Sequence, residues 1–563
     1  MEPILCTYAD PDLDIQRPFD VAVVIPSLLR DQLAHAVRSI FQQDLEGTIQ
    51  ILIGIDAPQG SLEQFEKLLE KERPAHIAVT LFWPGYSTKQ ARGGMWRPWG
   101  GGSLRSLLSF LANARYVAYL DDDNWYSPDH LSSLLSVIKD KAWAFSRRWF
   151  VTEDGTSPIH EDIWESVGPE NGVFKTNFGG FVDTNCYLID KLQAYPSLAL
   201  WSHTDPRFII NNQEHGEDRC VFDHLHKHHP NAGDTLKPTV SYCLNGEDLN
   251  ADSRWQYVKD HELKTGLKRC KGWIARPAPK ALNKPSKQKK TGSLHVIGSV
   301  TGPFEVSIVI PTLLRQSLLP TLRSVFCQDI KGALQVLIGI DQTNDEVQDW
   351  VAQIEKDCPD HIQIIIFNPG YSTSKRHGGV HPAFDGGALR TILSFLAQSP
   401  HVAYLDDDNQ WHKDHLSRLK KAIGTKNYAY SLRQFIHPDG ETPVCVDRWE
   451  SVGPNKGFYT HKFNGFVDPN CLMIHAASCL LALPLWTKPL PDDKEAMSAD
   501  RLVWRFLARF GTGISTEKAT VDYVLNPKDP MHPLRTMYLG QRWLNGESVA
   551  FKKKSGLFFS KKR

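Results

Sequence analysis

Short apolar runs alternate with helix-spaced apolar positions along the chain. VAVVI (21–25), QILIGI (50–55), IAVTLFW (77–83) and YVAYL (116–120) are uninterrupted and rich in β-branched residues. Between and after them, LAHAVRSIFQQ, LEQFEKLLEK, LRSLLSFLANA and HLSSLLSVIKD place apolar residues three and four positions apart. Buried strands that alternate with amphipathic helices predict an α/β fold, Rossmann-like, with a mostly parallel sheet and helices on both faces.

The chain also repeats itself at a constant distance. VAVVIPSLLR at 21 recurs as VSIVIPTLLR at 306, and the same shift of 285 residues carries LIGID, PGYST, YLDDDN and WESVGP to second occurrences. One shift over this length predicts two copies of one globular domain and excludes a short-period solenoid. We predict a first copy (1–262), a basic Pro/Lys-rich linker (263–302), a second copy (303–545) and a basic, aromatic tail (546–563).

Composition narrows the class of protein. Lys and Arg together number 64, as do Asp and Glu, so no whole-protein field favours nucleic acid as a partner. The start, MEPILCTYAD, lacks the features of a secretory signal, and ten cysteines without a CxxC pair indicate reduced thiols in a cytoplasmic protein. The tail FKKKSGLFFSKKR is either a solvated end or a contact with the anionic inner face of a membrane.

Prolines and aspartates follow the apolar runs, at the sheet edge where ligands bind. They occur in pairs related by the repeat: Pro26 and Pro311 after the first run, Asp56 and Asp341 after the second, and Asp121 to Asp123 and Asp406 to Asp408 after the fourth. Adjacent carboxylates repel one another, so each triplet predicts a divalent cation. In an extended segment Asp121 and Asp123 point to one side and Asp122 to the other. The alternative is capping of the following helix, for which Ser127 already fits.

These motifs resemble those of the family 2 glycosyltransferases, which have the GT-A nucleotide-sugar-binding fold. The resemblance rests on the VVIP(S/T) strand, the Asp that closes the second strand, an Arg sixteen residues before each carboxylate triplet, and the triplets themselves as DxD-like clusters. It also includes the acidic pair in HGEDRCVFDHL, which opens a predicted helix. It covers roughly 21–245 and 306–526.

The resemblance implies a role for each matching residue. It implies catalytic bases at Asp218 and Asp500, with Glu217 beside the first, and metal ligands for Mn²⁺ or Mg²⁺ at Asp123 and Asp408. It implies contacts with the nucleotide sugar at Pro26, Asp56, Arg105, Asp121 and Asp122, and at Pro311, Asp341, Arg390, Asp406 and Asp407. It further implies transfer with inversion at the anomeric carbon.

The copies differ at the acidic pair and after PGYST. The second copy reads MSADRLVWRFL, with Ala499 where Glu217 stands, so we expect it to be active, with a scaffold role as the alternative. KQARGGMWRPWGGG in the first copy faces SKRHGGVHPAFDGG in the second. We expect these stretches to line sugar or acceptor pockets and to give the copies different sugars.

Residues near the shared WESVGP have two open interpretations each. Trp164 and Trp449 either stack on an acceptor sugar or belong to the core. Glu165 and Glu450 either bond acceptor hydroxyls or cap a turn. Asp183 and Asp468 in GFVDxNC either line the acceptor side or end a strand.

The sequence therefore predicts a bifunctional inverting glycosyltransferase that moves sugars from nucleotide-sugar donors to the hydroxyl groups of a saccharide or glycan acceptor. Cell-surface polysaccharide assembly is the setting that the resemblance implies. The alternatives are one active copy with one scaffold copy, a metal-dependent nucleotidyltransferase, a carbohydrate-binding protein and a retaining transferase.

Overall fold

The computed structural model describes residues 1–98, 101–152, 154–206, 209–210, 213–214, 216–244, 251–265, 272–280, 287–342 and 347–540. The predicted tail (546–563) lies outside these residues, as do parts of the predicted linker. Within them, each copy contributes one large sheet that helices cover, so the predicted α/β fold class is confirmed.

The first copy begins with the elements that carry the predicted site. Its strands are β1 (Ile4–Ala9), β2 (Val21–Ser27), β3 (Ile49–Ile55), β4 (Ile77–Trp83), β5 (Tyr116–Tyr119), β6 (Trp125–Tyr126), β7 (Trp143–Val151), β8 (Pro158–Glu161), β9 (Gly168–Pro169), β10 (Gly180–Phe181), β11 (Tyr187–Asp190), β12 (Ile209–Ile210), β13 (Gln213–Glu214) and β14 (Gly233–Cys243). Its α-helices are α1 (Leu33–Phe41), α2 (Leu62–Glu72), α3 (Gly102–Leu111), α4 (His130–Ile138), α5 (Lys175–Phe178), α6 (Tyr195–Leu200), α7 (Glu217–His228) and α8 (Ala251–Thr265).

After two connecting strands the second copy follows the same order, except that its described residues hold no strands equivalent to β12 and β13 and that a 3-10 helix replaces α6. The strands are β15 (Lys289–Thr291), β16 (Ser293–Ile297), β17 (Phe304–Thr312), β18 (Ala333–Ile340), β19 (Ile362–Asn368), β20 (His401–Tyr404), β21 (Gln410–Trp411), β22 (Tyr428–Ile436), β23 (Pro443–Val446), β24 (Gly453–Pro454), β25 (Gly465–Phe466), β26 (Leu472–His475) and β27 (Gly513–Val524). The α-helices are α9 (Leu318–Phe326), α10 (Val347–Asp357), α11 (Gly387–Leu396), α12 (His415–Ile423), α13 (Thr460–Phe463), α14 (Ala499–Phe510) and α15 (His532–Leu539).

A parallel core of four strands lies at the centre of each sheet. In the first copy the order is β4-β3-β2-β5, and in the second it is β19-β18-β17-β20. Every residue of β3 and β4 is buried, which explains their uninterrupted apolar sequences. The sheets become mixed further along, because β11 and β26 run antiparallel to their neighbours. From β2 the strand order runs to one side of the sheet through β3 and β4, and then resumes on the other side of β2 with β5. Such a topological switch point leaves a crevice for ligands.

Two strands lie within the range predicted as a linker. Strand β15 pairs with β1 at the edge of the first sheet, and β16 pairs with β19 at the edge of the second. This part of the chain therefore adds one strand to each sheet, with Gly292 at a φ of +84° between them. The domain boundaries themselves stay a prediction.

The copies pack against each other through α3 and α11 with approximate two-fold symmetry. The rings of Phe110 and Phe395, which the 285-residue shift relates, stack at 5.9 Å. Hydrogen bonds cross the interface in equivalent pairs: Tyr86 to the carbonyl of Leu396 (2.5 Å) with Tyr371 to that of Leu111 (3.0 Å), and Trp96 to that of Phe395 (2.9 Å) with His381 to that of Phe110 (2.7 Å). The same patch of each copy meets its equivalent, as in a two-fold dimer.

Two further observations concern predictions about location. Among the described residues, no helix is both long and apolar enough to cross a membrane. The cysteines in the described part of the chain are all free thiols, without disulfide bonds.

Candidate functional site

The candidate site of each copy lies at the switch point, where β2 and β5, or β17 and β20, end. The helix α3 starts in close contact with the end of β2, and α11 starts in the same way against β17. Gly101 has a φ of +81°, and a Cβ on it would lie 2.9 Å from the Cβ of Pro26. Gly386 repeats this against Pro311, with a φ of +73° and a distance of 2.7 Å. Only glycine tolerates both the backbone conformation and the contact, and one turn later the helix places Arg105 at the site.

The first carboxylate of the triplet, Asp121, is held by two partners. Arg105 forms an ion pair with it, and the side-chain amide of Asn185 donates to its Oδ2 at 2.9 Å. The Oδ1 of Asn185 in turn accepts from the main-chain N–H of Asp121 at 2.6 Å. Asp406, Arg390 and Asn470 repeat the arrangement, with distances of 2.8 and 2.7 Å for the two amide contacts. The side chain of Asp121 is still 30% exposed, so a ligand can reach it.

The second carboxylate, Asp122, is buried and points back to the end of β2. It accepts from Ser27 Oγ and from Arg30 Nη2, each at 2.7 Å. The triplet forms a turn, with the N–H of Asn124 bonded to the carbonyl of Asp121 at 3.2 Å, so the predicted extended segment was wrong. Asp407, Thr312 and Arg315 repeat these side-chain contacts in the second copy. The middle carboxylate is therefore neutralised inside the protein, which favours a positioning role over direct contact with the nucleotide.

The third carboxylate has less compensation. Burial raises the pKa of Asp123 to about 7, and the charges of its two acidic neighbours add to this rise. Burial and Asp406 raise the pKa of Asp408 to about 6, against the effect of Arg315, whose Nη1 lies 3.2 Å from it.

The residues present fit a divalent cation only in part. No group of three or more His, Cys, Asp or Glu side chains in the described ranges has the arrangement of a complete metal site. Mg²⁺, however, is commonly bound by one or two carboxylates together with substrate phosphates. The outer carboxylates of each triplet, of which the first is 30% exposed and the third has a raised pKa, match that smaller donor set.

The carboxylate that closes the second strand has different surroundings in the two copies. Asp56 is 3% exposed and lies 3.0 Å from Lys89 Nζ and 3.3 Å from Arg92 Nη1. Asp341 accepts instead from the N–H and the hydroxyl of Thr373, both at 3.0 Å. Cations surround this position in the first copy, whereas neutral donors surround it in the second.

The acidic pair opens α7 as predicted, at a helix N-terminus that favours negative charge. Glu217 is buried and Asp218 is half-buried. In the second copy, burial raises the pKa of Asp500 to about 7, and the charges of Asp385 and Asp468 add to the rise while Arg501 opposes it. A carboxylate that titrates near neutral pH suits a general base.

A buried arginine gathers three carboxylates behind the site of the first copy. The side chain of Arg148 is fully buried and bonds Asp162 at 2.8 Å, Glu165 at 2.5 Å and Asp183 at 2.5 Å. Asp183 Oδ1 also accepts from the amide of Asn185 at 2.8 Å. Asn185 therefore joins this cluster to Asp121, because the same amide group contacts both carboxylates.

The second copy contains the same cluster. Arg433 bonds Asp447 at 2.9 Å, Glu450 at 2.6 Å and Asp468 at 2.5 Å, and Asn470 bonds Asp468 at 2.7 Å. Recurrence of every contact at equivalent positions shows that the cluster is part of the domain and not of one copy's surface.

A second arginine, from the last helix among the described residues of each copy, completes each cluster. Arg254 of α8 bonds Glu165 at 2.7 Å, and Arg535 of α15 bonds Glu450 at 2.8 Å. Both glutamates are 1% exposed. We therefore assign them to the clusters, and neither the predicted acceptor contact nor the predicted turn cap describes them.

The two tryptophans beside these glutamates are half-buried and stacked. Trp164 stacks on Tyr257 with ring centroids 4.8 Å apart, and Trp449 stacks on Tyr538 at 4.7 Å. One face of each indole is therefore covered by the protein's own tyrosine. A contact between the tryptophans and an acceptor sugar stays a prediction.

The divergent stretches after PGYST have two roles instead of one. Trp96 and His381 occupy equivalent positions in these stretches, and both are buried in the interface between the copies. From the same stretches, Lys89 and Arg92 contact Asp56, and the carbonyl of Asp385 accepts from Arg390. The expectation that these stretches line pockets therefore applies to only part of them.

Sequence reasoning missed the asparagine and arginine of each cluster as well as Asp385. Asn185 lies in GFVDTNC, a motif that the repeat displays, and Arg148 is a charged residue inside an apolar strand that recurs as Arg433. An unexplained charge repeated within a buried strand was the available signal. Asp385 differs between the copies, so the repeat gave no signal for it.

Comparison with known protein families supports a glycosyltransferase. Residues 303–430 match the family model described as Glycosyltransferase like family 2. This match confirms the resemblance to the glycosyltransferases over the first half of the second copy, and it supports an enzyme of the glycosyltransferase class. Comparison with curated proteins gives no match.

Solved glycosyltransferase structures are similar to parts of the chain. Residues 1–349 of S. aureus TarS in complex with UDP are 14% identical with a TM-score of 0.29, over 42% of this chain and 63% of that one. The mannosyltransferase PcManGT from Pyrobaculum calidifontis, in complex with GDP-Man and Mn²⁺, is 15% identical with a TM-score of 0.28, over 42% and 60%. The chain thus spans about three fifths of these structures, and a likeness of this extent carries no argument about activity.

Proposed function

We propose that each copy is a glycosyltransferase that moves a sugar from a nucleotide-sugar donor to a hydroxyl group of a saccharide or glycan acceptor. One observation carries the proposal. In both copies an arginine, an aspartate and an asparagine meet at the switch point of the sheet, in the domain whose second occurrence matches the family 2 model.

The donor side is built for a nucleoside diphosphate. Transfer leaves negative charge on the departing diphosphate, which fixed cations stabilise. Arg105 in the first copy and Arg390 in the second are buried at the start of a helix, where their guanidinium groups are held in place by an aspartate. When bound by Asp123 or Asp408, Mn²⁺ or Mg²⁺ supplies a further positive charge beside the diphosphate.

The acceptor side provides the base. Asp218 or Asp500 takes the proton from the incoming hydroxyl group, so that the oxygen attacks the anomeric carbon as the diphosphate leaves. Arg390 donates to the carbonyl of Asp385, and the neighbouring N–H of Phe384 bonds to Ala496 just before α14, which supports a shared site for the base and the donor arginine. Attack from the side opposite the leaving group inverts the anomeric carbon, which is the stereochemistry that we propose.

Nucleoside diphosphate release tests the proposal. The purified chain is incubated with Mn²⁺ and, in turn, UDP-glucose, UDP-galactose, UDP-N-acetylglucosamine and GDP-mannose, with a mixture of saccharide acceptors. Asp123→Asn and Asp408→Asn remove one metal ligand each, and the exposed Asp357→Asn controls for the charge change. We expect each site variant to lose turnover of its own donor while the control keeps both.

Other outcomes identify the alternatives. If Asp123→Asn loses all turnover and Asp408→Asn loses none of it, the first copy is the active one and the second is a scaffold. The replacement of Glu217 by Ala499 in the second copy agrees with that outcome. Pyrophosphate released from a nucleoside triphosphate indicates a nucleotidyltransferase. Retained transfer in the double variant contradicts the metal assignment. Two donors used by two sites would fit assembly of a cell-surface polysaccharide with alternating sugars.

A further inference from the structure

The second copy has a carboxylate at its site that the first copy lacks. The segment before α11 reads AFDGG, whereas the equivalent segment of the first copy reads PWGGG. Asp385 thus takes the position of Gly100, which lies outside the described residues. At the acidic pair the difference is reversed, because Ala499 replaces Glu217. The two sites therefore carry acidic groups at different places.

The main chain around Asp385 is anchored on both sides. Its carbonyl accepts from Nη1 of Arg390 at 2.5 Å, and the preceding N–H of Phe384 donates to the carbonyl of Ala496 at 2.8 Å. Ala496 precedes α14, which carries Asp500 near its start. Asp385 is therefore held between the helix that carries the donor arginine and the helix that carries the base.

The side chain of Asp385 has an unused acceptor. Its Oδ1 is out of contact with solvent and has no hydrogen-bond partner among the described residues. Burial raises the pKa of this carboxyl group, Arg390 opposes the rise and Asp406 adds to it. A buried oxygen without a donor is costly unless a ligand supplies the donor.

The groups around Asp385 limit which ligand can supply this hydrogen-bond donor. Arg390 pairs with Asp406 and donates to the carbonyl of Asp385, and the N–H of Phe384 bonds to Ala496 just before α14. Asp385 therefore lies near both the arginine proposed to bind the diphosphate and the helix that carries the proposed base. A phosphate there would meet a repulsive carboxylate. A neutral sugar ring, which the proposed function requires between the diphosphate and the base, offers hydroxyl groups as donors.

We propose that Asp385 is a specificity-determining residue of the second site, where it accepts a hydrogen bond from one hydroxyl group of the donor sugar. This inference rests on the proposed function. It implies that the first site, with glycine at this position, does not select its donor through this hydroxyl group.

A structural role is the competing explanation. Asp385 precedes the N-terminus of α11, and the N–H of Gly387 lies close enough to its carboxylate to favour the charged form. Asparagine keeps a side-chain oxygen for such a cap, but it is a weaker acceptor than a carboxylate. Asp385→Asn and Asp385→Gly therefore separate the two roles, since only the glycine variant removes the cap.

The experiment measures donor binding and turnover at the second site alone. All variants carry Asp218→Asn, which silences the base of the first site. Kd and kcat/KM are measured for the preferred donor of the panel above and for its deoxyfluoro analogues, in which fluorine replaces one hydroxyl group at a time. Asp385→Gly and Asp385→Asn are compared with the parent and with Asp357→Asn, a charge change at an exposed ion pair.

For the parent and for the Asp357→Asn control, we expect fluorine at one position of the donor to weaken donor binding and to lower kcat/KM by about 10-fold to 100-fold. Loss of a hydrogen bond to a charged group has an effect of this size. The same substitution is expected to change Asp385→Gly by less than about 3-fold, with an intermediate effect in Asp385→Asn. Equal penalties in parent and Asp385→Gly overturn the inference, as does an equal loss of kcat with every donor. A parent that neither binds nor turns over any nucleotide sugar contradicts the proposed function itself.

Discussion

The buried arginine of each cluster provides a sharp test of what holds the site in place. Replacing Arg148 with methionine keeps the volume of the side chain but removes the cation that three carboxylates share. Its guanidinium has no solvent exposure, and neither does Asp162, while Glu165 is 1% exposed. Arg254 still compensates Glu165, but Asp162 and Asp183 lose the cation to which they are bonded.

The expected loss follows from the cost of uncompensated buried charge. Removal of one partner from a buried ion pair costs about 3 to 5 kcal/mol. With a urea m-value of about 3 kcal/mol per molar, the unfolding midpoint of the first copy falls by about 1 to 1.7 M. Arg433→Met is expected to lower the second copy's midpoint equally, because its contacts repeat those of Arg148.

Urea unfolding followed by tryptophan fluorescence measures both variants beside a surface control. Arg323 is 63% exposed and pairs with Asp357 at 3.4 Å, so Arg323→Met is expected to change the free energy of unfolding by less than about 1 kcal/mol. A change of that small size in Arg148→Met would refute the reasoning. It would mean that the carboxylates of the cluster are not held as buried charges by this arginine.

Three further predictions concern the metal ligands, the base and the interface. Asp123→Asn and Asp408→Asn are each expected to abolish nucleoside diphosphate release at their own site with an unchanged melting temperature, and EDTA is expected to stop release at both. Because the pKa of Asp500 is about 7 and the base acts when deprotonated, second-site kcat/KM, measured in an Asp218→Asn background, is expected to fall about tenfold per pH unit below 7. Trp96→Ala removes a 2% exposed indole from the interface and is expected to destabilise the chain by about 3 to 5 kcal/mol, seen by calorimetry as earlier unfolding.

Each of these has a contradicting result. Release that persists in EDTA, or in the double metal-ligand variant, removes the cation from the mechanism. A flat second-site profile between pH 5 and 8 contradicts Asp500 as the base. A melting temperature of Trp96→Ala within about 1 °C of the parent would show that this indole contributes little to the packing of the copies.

The strands and helices could be predicted from the sequence because each depends on residues that are close together along the chain. Buried parallel strands require uninterrupted apolar residues, and β3 and β4 show them at every position. The same pattern placed Asp56 and the Asp121–Asp123 triplet at the ends of strands. The segment after β5, however, is a turn, because Asp122 bonds back to Ser27 and Arg30, which are 95 and 92 residues away.

The sequence by itself determined the repeat, the α/β architecture and the sheet edge at which the site lies, since each depends on residue types at fixed spacings. Only the tertiary structure decided how the side chains pair. Arg148 bonds to Asp183, Trp96 bonds to Phe395 of the other copy, and Phe384 bonds to Ala496, although stretches of chain separate the members of each pair. Such contacts depend on how strands and helices pack in three dimensions, so a pattern of residue types along the chain does not predict them.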